Sequence, residues 1–472
     1  MGGDVLNDVI ASVYVAIPEK ASSEGSDVGS NPRVYYGIEQ ELKARESDIK
    51  EIHLALYLFN NPKLYQTIRG LAKSRQISIV VISTPLAAYG EGKIESARQI
   101  YYDIAKSCKT PGTHGNLVFL IYPHMYIWYG AEYAEAKASY SFHVKAGYIL
   151  YKNGSCKFIL TSCNMSPGDP YHSESAVVLE DPSCSSPFSY AFKKFFQELE
   201  TLAVPWCKYE SLIGTLPREL QIVADFAFIG KHGLKNWVEE FTDTAFFTGP
   251  FIKIREKGST HFAREKIVET IMGAEKRILV CGQHVHDIAP FNGYAGPTLI
   301  GALAEKKRDN PNLDVRVLKQ VSSSGLADKR RAAFVECHLD YAGIKQRVNK
   351  LVHDKFIVVD DKIIVSTANF TTTQFGWGER AMELVVEQDI NYARVVVNSA
   401  LQLYGHPQSL VRLNPVIARK AKSQKTKVVK QDIFAEVNAF VVVESAELAE
   451  KFARYFDNLW KHPLSRDVEI LR

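Results

Sequence analysis

The sequence predicts a duplicated α/β protein, and three observations carry that prediction. A strand–helix–strand pattern that begins near residue 52 recurs, in the same order, after residue 266. A His-x-Lys pair occurs once in each half, at His143/Lys145 and at His353/Lys355. Each pair is followed by an apolar strand, a Ser/Thr-x-Asn element and a glutamate that opens a further strand. Matching order with drifting spacing marks a duplicated unit that has gained and lost loops.

In order along the chain, residues 1–33 read as an N-terminal segment. Val5 to Ile17 has some character of a signal-peptide core, but Asp4 and Asp8 interrupt it and no basic stretch precedes it. Residues 20–33 are rich in Ser, Gly, Asp and Asn and read as a flexible linker. The first half is placed at 34–245. Ile52–Phe59 is a buried-strand run, Leu64, Ile68 and Leu71 recur at helical spacing, and Ile77–Ile82 is the next strand, a βαβ unit with a parallel pair. Glu174–Glu180 is a strand, and Phe192, Phe195, Phe196 and Leu199 mark the helix after it.

The second half is placed at 246–472, with the Gly249-Pro250 turn signal near its start. Lys266–Met272 is helical, Arg277–Cys281 a strand, Thr298–Lys307 a helix and Leu313–Leu318 a strand. Phe356–Val359 and Ile363–Val365 flank Asp360-Asp361 as a hairpin. Glu383–Glu387 reads as the counterpart of the Glu174 strand, with a helix from about Tyr392. Ala439–Val443 is a last strand, and Leu448, Phe452, Tyr455 and Leu459 form the inner stripe of a closing helix.

Composition bounds the partners. A chain of 472 residues is too long for one ordinary core. Its 46% hydrophobic content and mixed charge are those of a globular protein. The net charge of +4 permits nucleic acid or an anionic surface and demands neither. Arg419–Lys430 concentrates six Lys/Arg residues, a solvated loop or a phosphate-backbone contact. Seven cysteines without metal-ligand spacing are expected as reduced thiols. No apolar run approaches the roughly 20 residues that span a bilayer. The expectation is a cytoplasmic monomer, a nuclear location being open, with no integral membrane association.

The two motifs carry the chemistry. On a strand, His-x-Lys places imidazole and ammonium on one face. A phosphodiester repels nucleophiles and has a poor alkoxide leaving group, so its cleavage needs cations, a nucleophile and a proton donor. Two histidines can supply the nucleophile and the donor, since free histidine titrates near about 6.5. Lys145 and Lys355 would clamp the oxygens, and Asn164 and Asn369 would add hydrogen bonds. On this reading no cofactor or metal is required.

These residues resemble the signature of the phospholipase D superfamily, His-x-Lys-x4-Asp with a downstream Gly/Ser-x-Asn. The second copy reads His353, Lys355, Asp360, Thr367, Asn369; the first reads His143, Lys145, Ser162, Asn164, with Leu150 at the Asp position. The resemblance implies a duplicated α/β/α sandwich of two pseudo-twofold-related halves with mixed, largely parallel sheets. It also implies one shared cleft, with His143 as nucleophile through a phosphohistidine and His353 as general acid and base, although the chemistry allows the reverse. It assigns Asp360 to tying down the hairpin. Tyrosyl-DNA phosphodiesterases resemble the Ser162-Cys163-Asn164 element and also lack the first Asp, which favours nucleic acid as substrate. A phospholipase D acting on lipid head groups and a degenerate binding scaffold are the alternatives.

Glu174 and Glu383 are supporting candidates from their shared place. Gln283-His284-Val-His286-Asp287 lacks a third metal ligand at recognisable spacing, and Gln283 or His284 is expected to line the pocket. Tyr122–Tyr129, rich in aromatics, is expected to pack rather than stack on bases.

Overall fold

The computed structural model describes residues 9–18, 29–74, 77–84, 91–108, 116–122, 126–127, 138–139, 142–206, 244–248, 262–288, 296–321, 326–375, 378–380, 412–413, 429–433 and 436–470. Glu383, the helix expected from Tyr392, Gly249-Pro250 and most of the Arg419–Lys430 run lie outside these residues.

Each half builds one eight-stranded sheet. The first uses β1 (Ile10–Ala16), β2 (Ile49–Leu56), β3 (Ser78–Ser83), β4 (Leu117–Ile121), β5 (Lys145–Tyr151), β6 (Cys156–Thr161), β7 (Glu174–Asp181) and β8 (Val204–Pro205). The second uses β9 (Ala245–Thr248), β10 (Arg277–Gly282), β11 (Asp314–Lys319), β12 (Lys345–Val348), β13 (Lys355–Val359), β14 (Lys362–Ser366), β15 (Asn438–Glu444) and β16 (Arg466–Asp467). The spatial orders are β1-β7-β6-β5-β2-β3-β4-β8 and β9-β15-β14-β13-β10-β11-β12-β16. Strand for strand these are the same permutation, so the duplication is a fact of topology.

The expectation of largely parallel sheets needs correction. In each sheet two neighbouring pairs are parallel and five are antiparallel. The βαβ units read from sequence supply the parallel pairs. The rest follows from short turns, such as Asp360-Asp361, which can only return a strand antiparallel.

Eight helices of eight or more residues flank the sheets among the described residues: α1 (Arg33–Lys43), α2 (Pro62–Ser74), α3 (Glu91–Cys108), α4 (Pro187–Leu202), α5 (Phe262–Met272), α6 (Leu299–Asp309), α7 (Leu326–Tyr341) and α8 (Ala446–Trp460). α4 follows β7 and α8 follows β15, so they are counterparts. Ser186 and Ser445 cap them, each accepting from an amide three residues on. Strand alternation divides the second sheet cleanly. Ile278, Val280, Ile357 and Val359 face one cluster with Ile267, Leu299 and Leu303 of α5 and α6. Leu279, Cys281, Phe356 and Val358 face a second cluster that includes α8 and runs on into the first sheet. The halves therefore share one core. Among the described residues no helix is long and apolar enough to cross a membrane.

Two local points differ from expectation. The apolar N-terminal run is strand β1, paired antiparallel with β7. The thiols are not all reduced, because Cys156 and Cys184 form a disulfide with their Cα atoms 5.2 Å apart. Cys156 opens β6 opposite Asp181 at the end of β7, and the turn after Asp181 brings Cys184 back over it. A separation of 28 residues hides that adjacency in the sequence. Cys163, Cys281 and Cys337 are free thiols.

Candidate functional site

Each His-x-Lys pair sits at the mouth of a central strand, and each is held by the opposite half. The His143 amide donates to the Val437 carbonyl at 3.0 Å, and the His353 amide donates to the Ser173 carbonyl at 3.3 Å. Phe142 bridges Val437, and Val352 bridges Ser173. The two contacts are equivalents across a pseudo-twofold axis, and they bring both motifs to the same seam. The histidines lie just before β5 and β13, so side-chain direction is not set by strand alternation. Instead each lysine curls back: Lys145 Nζ donates to the His143 carbonyl at 2.9 Å and Lys355 Nζ to the His353 carbonyl at 2.5 Å.

Both lysines are fully buried. Taking an ammonium out of water costs several kcal/mol, an expense that a merely structural residue avoids. Burial pushes both ammoniums down, Lys355 to about 8, and each lysine's charge lowers Lys145 or the histidines further. His353 is buried and His143 partly so. Burial lowers both imidazoles well below the ordinary range, and Lys145 and Lys355 push both down further. The cleft is a cationic, desolvated space with neutral imidazoles, an environment that an anionic phosphate would complement.

Glu174 of the first half reaches His353 of the second, Oε1 lying 2.7 Å from Nδ1. Ser162 Oγ donates to the other oxygen, Oε2. Burial and Asp169 push the Glu174 carboxyl well up, while Lys355 and Ser162 pull it back. Thr367 donates to Asn438 Oδ1 at 3.2 Å. Asn164 and Asn369 each keep a buried carboxamide oxygen with no hydrogen-bond partner among the described residues. Buried polar atoms are nearly always paired, so two matched exceptions in one cleft point to a ligand.

Asp360 lies at the β13–β14 turn. Its carboxylate accepts from the amides of Glu275, Lys276 and Arg277 at 2.7, 2.8 and 2.9 Å, fixing the β13–β14 turn to the strand beside it. Burial alone would raise its pKa, but those amides outweigh it and hold the group below the ordinary carboxylate range. Leu150 needs no such role. The first hairpin is longer, Leu150 lies inside β5, and the turn is tied instead by the Lys152 amide to the Asp48 carbonyl at 2.7 Å.

The pairing of Glu174 with Glu383 is corrected by topology. The strand that returns beside β14, as β7 does beside β6, is β15, and its register places Asn438 where Glu174 stands. A long insertion after Asn369 displaces that strand in the sequence, and the Glu-opened run nearer by mimics it. Glu383 itself lies outside the described residues.

Sequence reasoning also missed Tyr57. Its ring lies 5.0 Å from that of His143 and 5.1 Å from Lys145 Nζ, a cation–π contact. Gln283 is its counterpart: Tyr57 N donates to Val144 O at 2.8 Å and Gln283 N to Asp354 O at 3.0 Å. Gln283 thus stands beside the second motif, and only the duplication could have pointed to Tyr57. Asp287 is committed to Arg264 in a buried ion pair at 2.9 Å. His284 and His286 stack at 5.6 Å. Tyr122 packs against Phe142 with ring centroids 4.9 Å apart, next to the first motif.

Cys163, Asp169 and Glu174 place potential ligand atoms within 4.8 Å of one another. Internal donors already use them: Ser166 N and Oγ bind Asp169 at 2.9 and 2.7 Å, and Cys163 Sγ lies 3.2 Å from it.

No family model matches the sequence, and no curated protein matches it. Among solved structures, phosphatidylserine synthase from Haemophilus influenzae Rd KW20 is similar at a TM-score of 0.50 and 9% identity, over 93% of this chain and 86% of that one. Polyphosphate kinase from Porphyromonas gingivalis is similar at a TM-score of 0.45 and 8% identity over 96% of this chain. The chain spans 50% of that kinase's length. Yeast tyrosyl-DNA phosphodiesterase is similar at a TM-score of 0.38 and 11% identity, over 78% of this chain and 86% of that one. By its duplicated sheets and by the meeting of two His-x-Lys pairs at their seam, the chain has the fold of the phospholipase D superfamily.

Proposed function

We propose that the chain is a metal-independent phosphodiesterase that works through a phosphohistidine, with nucleic acid as its substrate class. The observation that carries this reading is the reciprocal grip of each motif by the other half, which gathers two imidazoles, two buried ammoniums and two unpaired carboxamides at one seam. The lysines neutralise the non-bridging oxygens, and the asparagines supply hydrogen bonds to the same oxygens. One imidazole attacks phosphorus while the other protonates the departing oxygen. The second then takes a proton from water, whose oxygen displaces the histidine. A bound phosphate anion offsets the burial and the Lys355 charge that lower the proton affinity of Lys145.

The basic run at Arg419–Lys430 and the net positive charge favour a polyanionic substrate, as does the Ser162-Cys163-Asn164 element. The second reading is a phospholipid headgroup diester, prompted by the phosphatidylserine synthase whose fold this chain shares at 9% identity. Single-stranded and duplex oligonucleotides should be competed against phospholipid vesicles, with EDTA present. Nucleotide product supports the proposal. Headgroup release without nucleotide product replaces it with the second reading, and oligonucleotide binding without turnover of any diester supports a degenerate scaffold.

A further inference from the structure

We propose that His353 is the nucleophile and His143 the proton donor, the reverse of the order the resemblance implies, with Glu174 and Asn438 as the positioning residues that divide the roles. The inference rests on the phosphodiesterase reading above and deepens it. The two halves are alike strand for strand, yet they differ at one pair of equivalent positions behind the histidines. Ala176 pairs with Thr161 and Phe440 with Ser366, and those partners stand three residues before Asn164 and Asn369. Glu174 and Asn438 therefore occupy the same place. Ser162 and Thr367 donate to them in the same way. The first half offers His353 a carboxyl group, and the second offers His143 a carboxamide.

The consequences differ at the ring nitrogens. Nδ1 of His353 is engaged at 2.7 Å, whereas Nδ1 of His143 is buried with no hydrogen-bond partner among the described residues. One proton is shared between Glu174 and Nδ1 of His353 across that contact, and its passage onto Nδ1 frees Nε2. Nε2 then carries the lone pair. When Nε2 bonds to phosphorus, the ring becomes a cation, and Glu174 is in contact to balance it. A carboxamide cannot do this. Burial first, then Lys145 and Lys355, destabilise an imidazolium at His143, so it gives up its proton readily; Asn438 offsets this in part by a hydrogen bond but brings no charge. The step balances as follows. His143 takes up a proton as the negative charge of the phosphate enters the cleft. The Nε2 lone pair of His353 then forms the P–N bond, the P–O bond breaks, and the leaving oxygen takes the Nε2 proton of the His143 imidazolium. Water then returns a proton to His143, its oxygen bonds to phosphorus, and the P–N pair goes back to His353.

Rapid-quench labelling of the wild-type protein with a diester radiolabelled at phosphorus, followed by peptide mapping, locates the intermediate without any variant. Label on the His353 peptide is expected, and label on the His143 peptide overturns the assignment. Leaving-group dependence gives a second readout that a structural defect would not reproduce. His143→Ala should lose roughly 10²-fold or more on a diester with an alkoxide leaving group, yet keep its burst on a p-nitrophenyl diester, which departs without a proton. His353→Ala should show no burst with either, and Glu174→Gln should slow the burst with both. A burst kept by His353→Ala and lost by His143→Ala refutes the proposal. Absence of any wild-type turnover of both diesters refutes the hydrolase reading itself.

Discussion

The carboxyl group of Glu174 meets Nδ1 of His353 at 2.7 Å across the seam between the halves. It joins the strand that leaves one Ser-x-Asn element to the motif of the other half. Among the described residues neither half holds its own histidine in this way, so the candidate site is assembled where the duplicated units interlock.

Removing that carboxylate should therefore cost activity more than stability. Glu174→Gln keeps the size and a hydrogen-bond acceptor for Ser162, but loses the acidic group that can exchange a proton with His353. Turnover is expected to fall by about 10²-fold or more, by analogy with carboxylates that orient a catalytic imidazole. Steady-state kinetics beside a thermal melt would check this; a lowered melting temperature with unchanged turnover would make Glu174 a structural residue.

The buried ammonium of Lys355 predicts an alkaline limit. Its proton affinity is lowered to about 8, by burial first. On the proposed mechanism Lys355 is a cation that receives phosphate, and it is lost as pH rises through that value, so kcat/KM should fall on the alkaline side of about pH 8. A pH–rate profile tests this, and a flat profile up to pH 10 would contradict it. Bound phosphate should move the limit upward, which kcat measured at saturation would show.

Tyr57 stands over both His143 and Lys145. Tyr57→Leu removes a cation–π contact worth about 0.5–2 kcal/mol and should lower kcat/KM by up to roughly thirtyfold, with little change in melting temperature. Wild-type kinetics in this variant would show that the ring is only packing.

Asp360 should matter for stability rather than chemistry. It accepts three backbone N–H groups and sits at φ 51°, in the left-handed region. Asp360→Ala leaves those amides without their acceptor and strains the turn, a loss of about 1–3 kcal/mol. Asp360→Gly should restore the part due to strain. Because the folded-state pKa is depressed, this stabilisation is complete above the unfolded value of roughly 3.9 and is lost as pH falls through the folded one. Denaturant melts between pH 7 and pH 2 should show the wild-type advantage shrinking toward the acid end.

Much of this was legible in the sequence because it is written in local pattern. The His-x-Lys pairs, the hairpin at Asp360-Asp361 and the alternation of β10 each need only a few neighbouring residues. What depended on pairing was not legible. The antiparallel majority of each sheet, the Cys156–Cys184 disulfide and the closeness of Tyr57 to His143 all join positions whose separation says nothing about distance. The identity of Asn438 as Glu174's counterpart was hidden most deeply, because an insertion moved it far from Asn369 and left Glu383 as a nearer imitation. Register, which is set by backbone hydrogen bonds, shows the equivalence that residue offsets conceal.

The central claim is that two distant motifs act on one phosphorus without a metal. Its most direct measurement is turnover of an unactivated phosphodiester, in EDTA, by wild type and by His143→Ala and His353→Ala. Activity that persists in EDTA and falls by roughly 10²-fold or more in both variants is the predicted result. Loss of wild-type activity in EDTA, or wild-type turnover by either variant, would contradict the account.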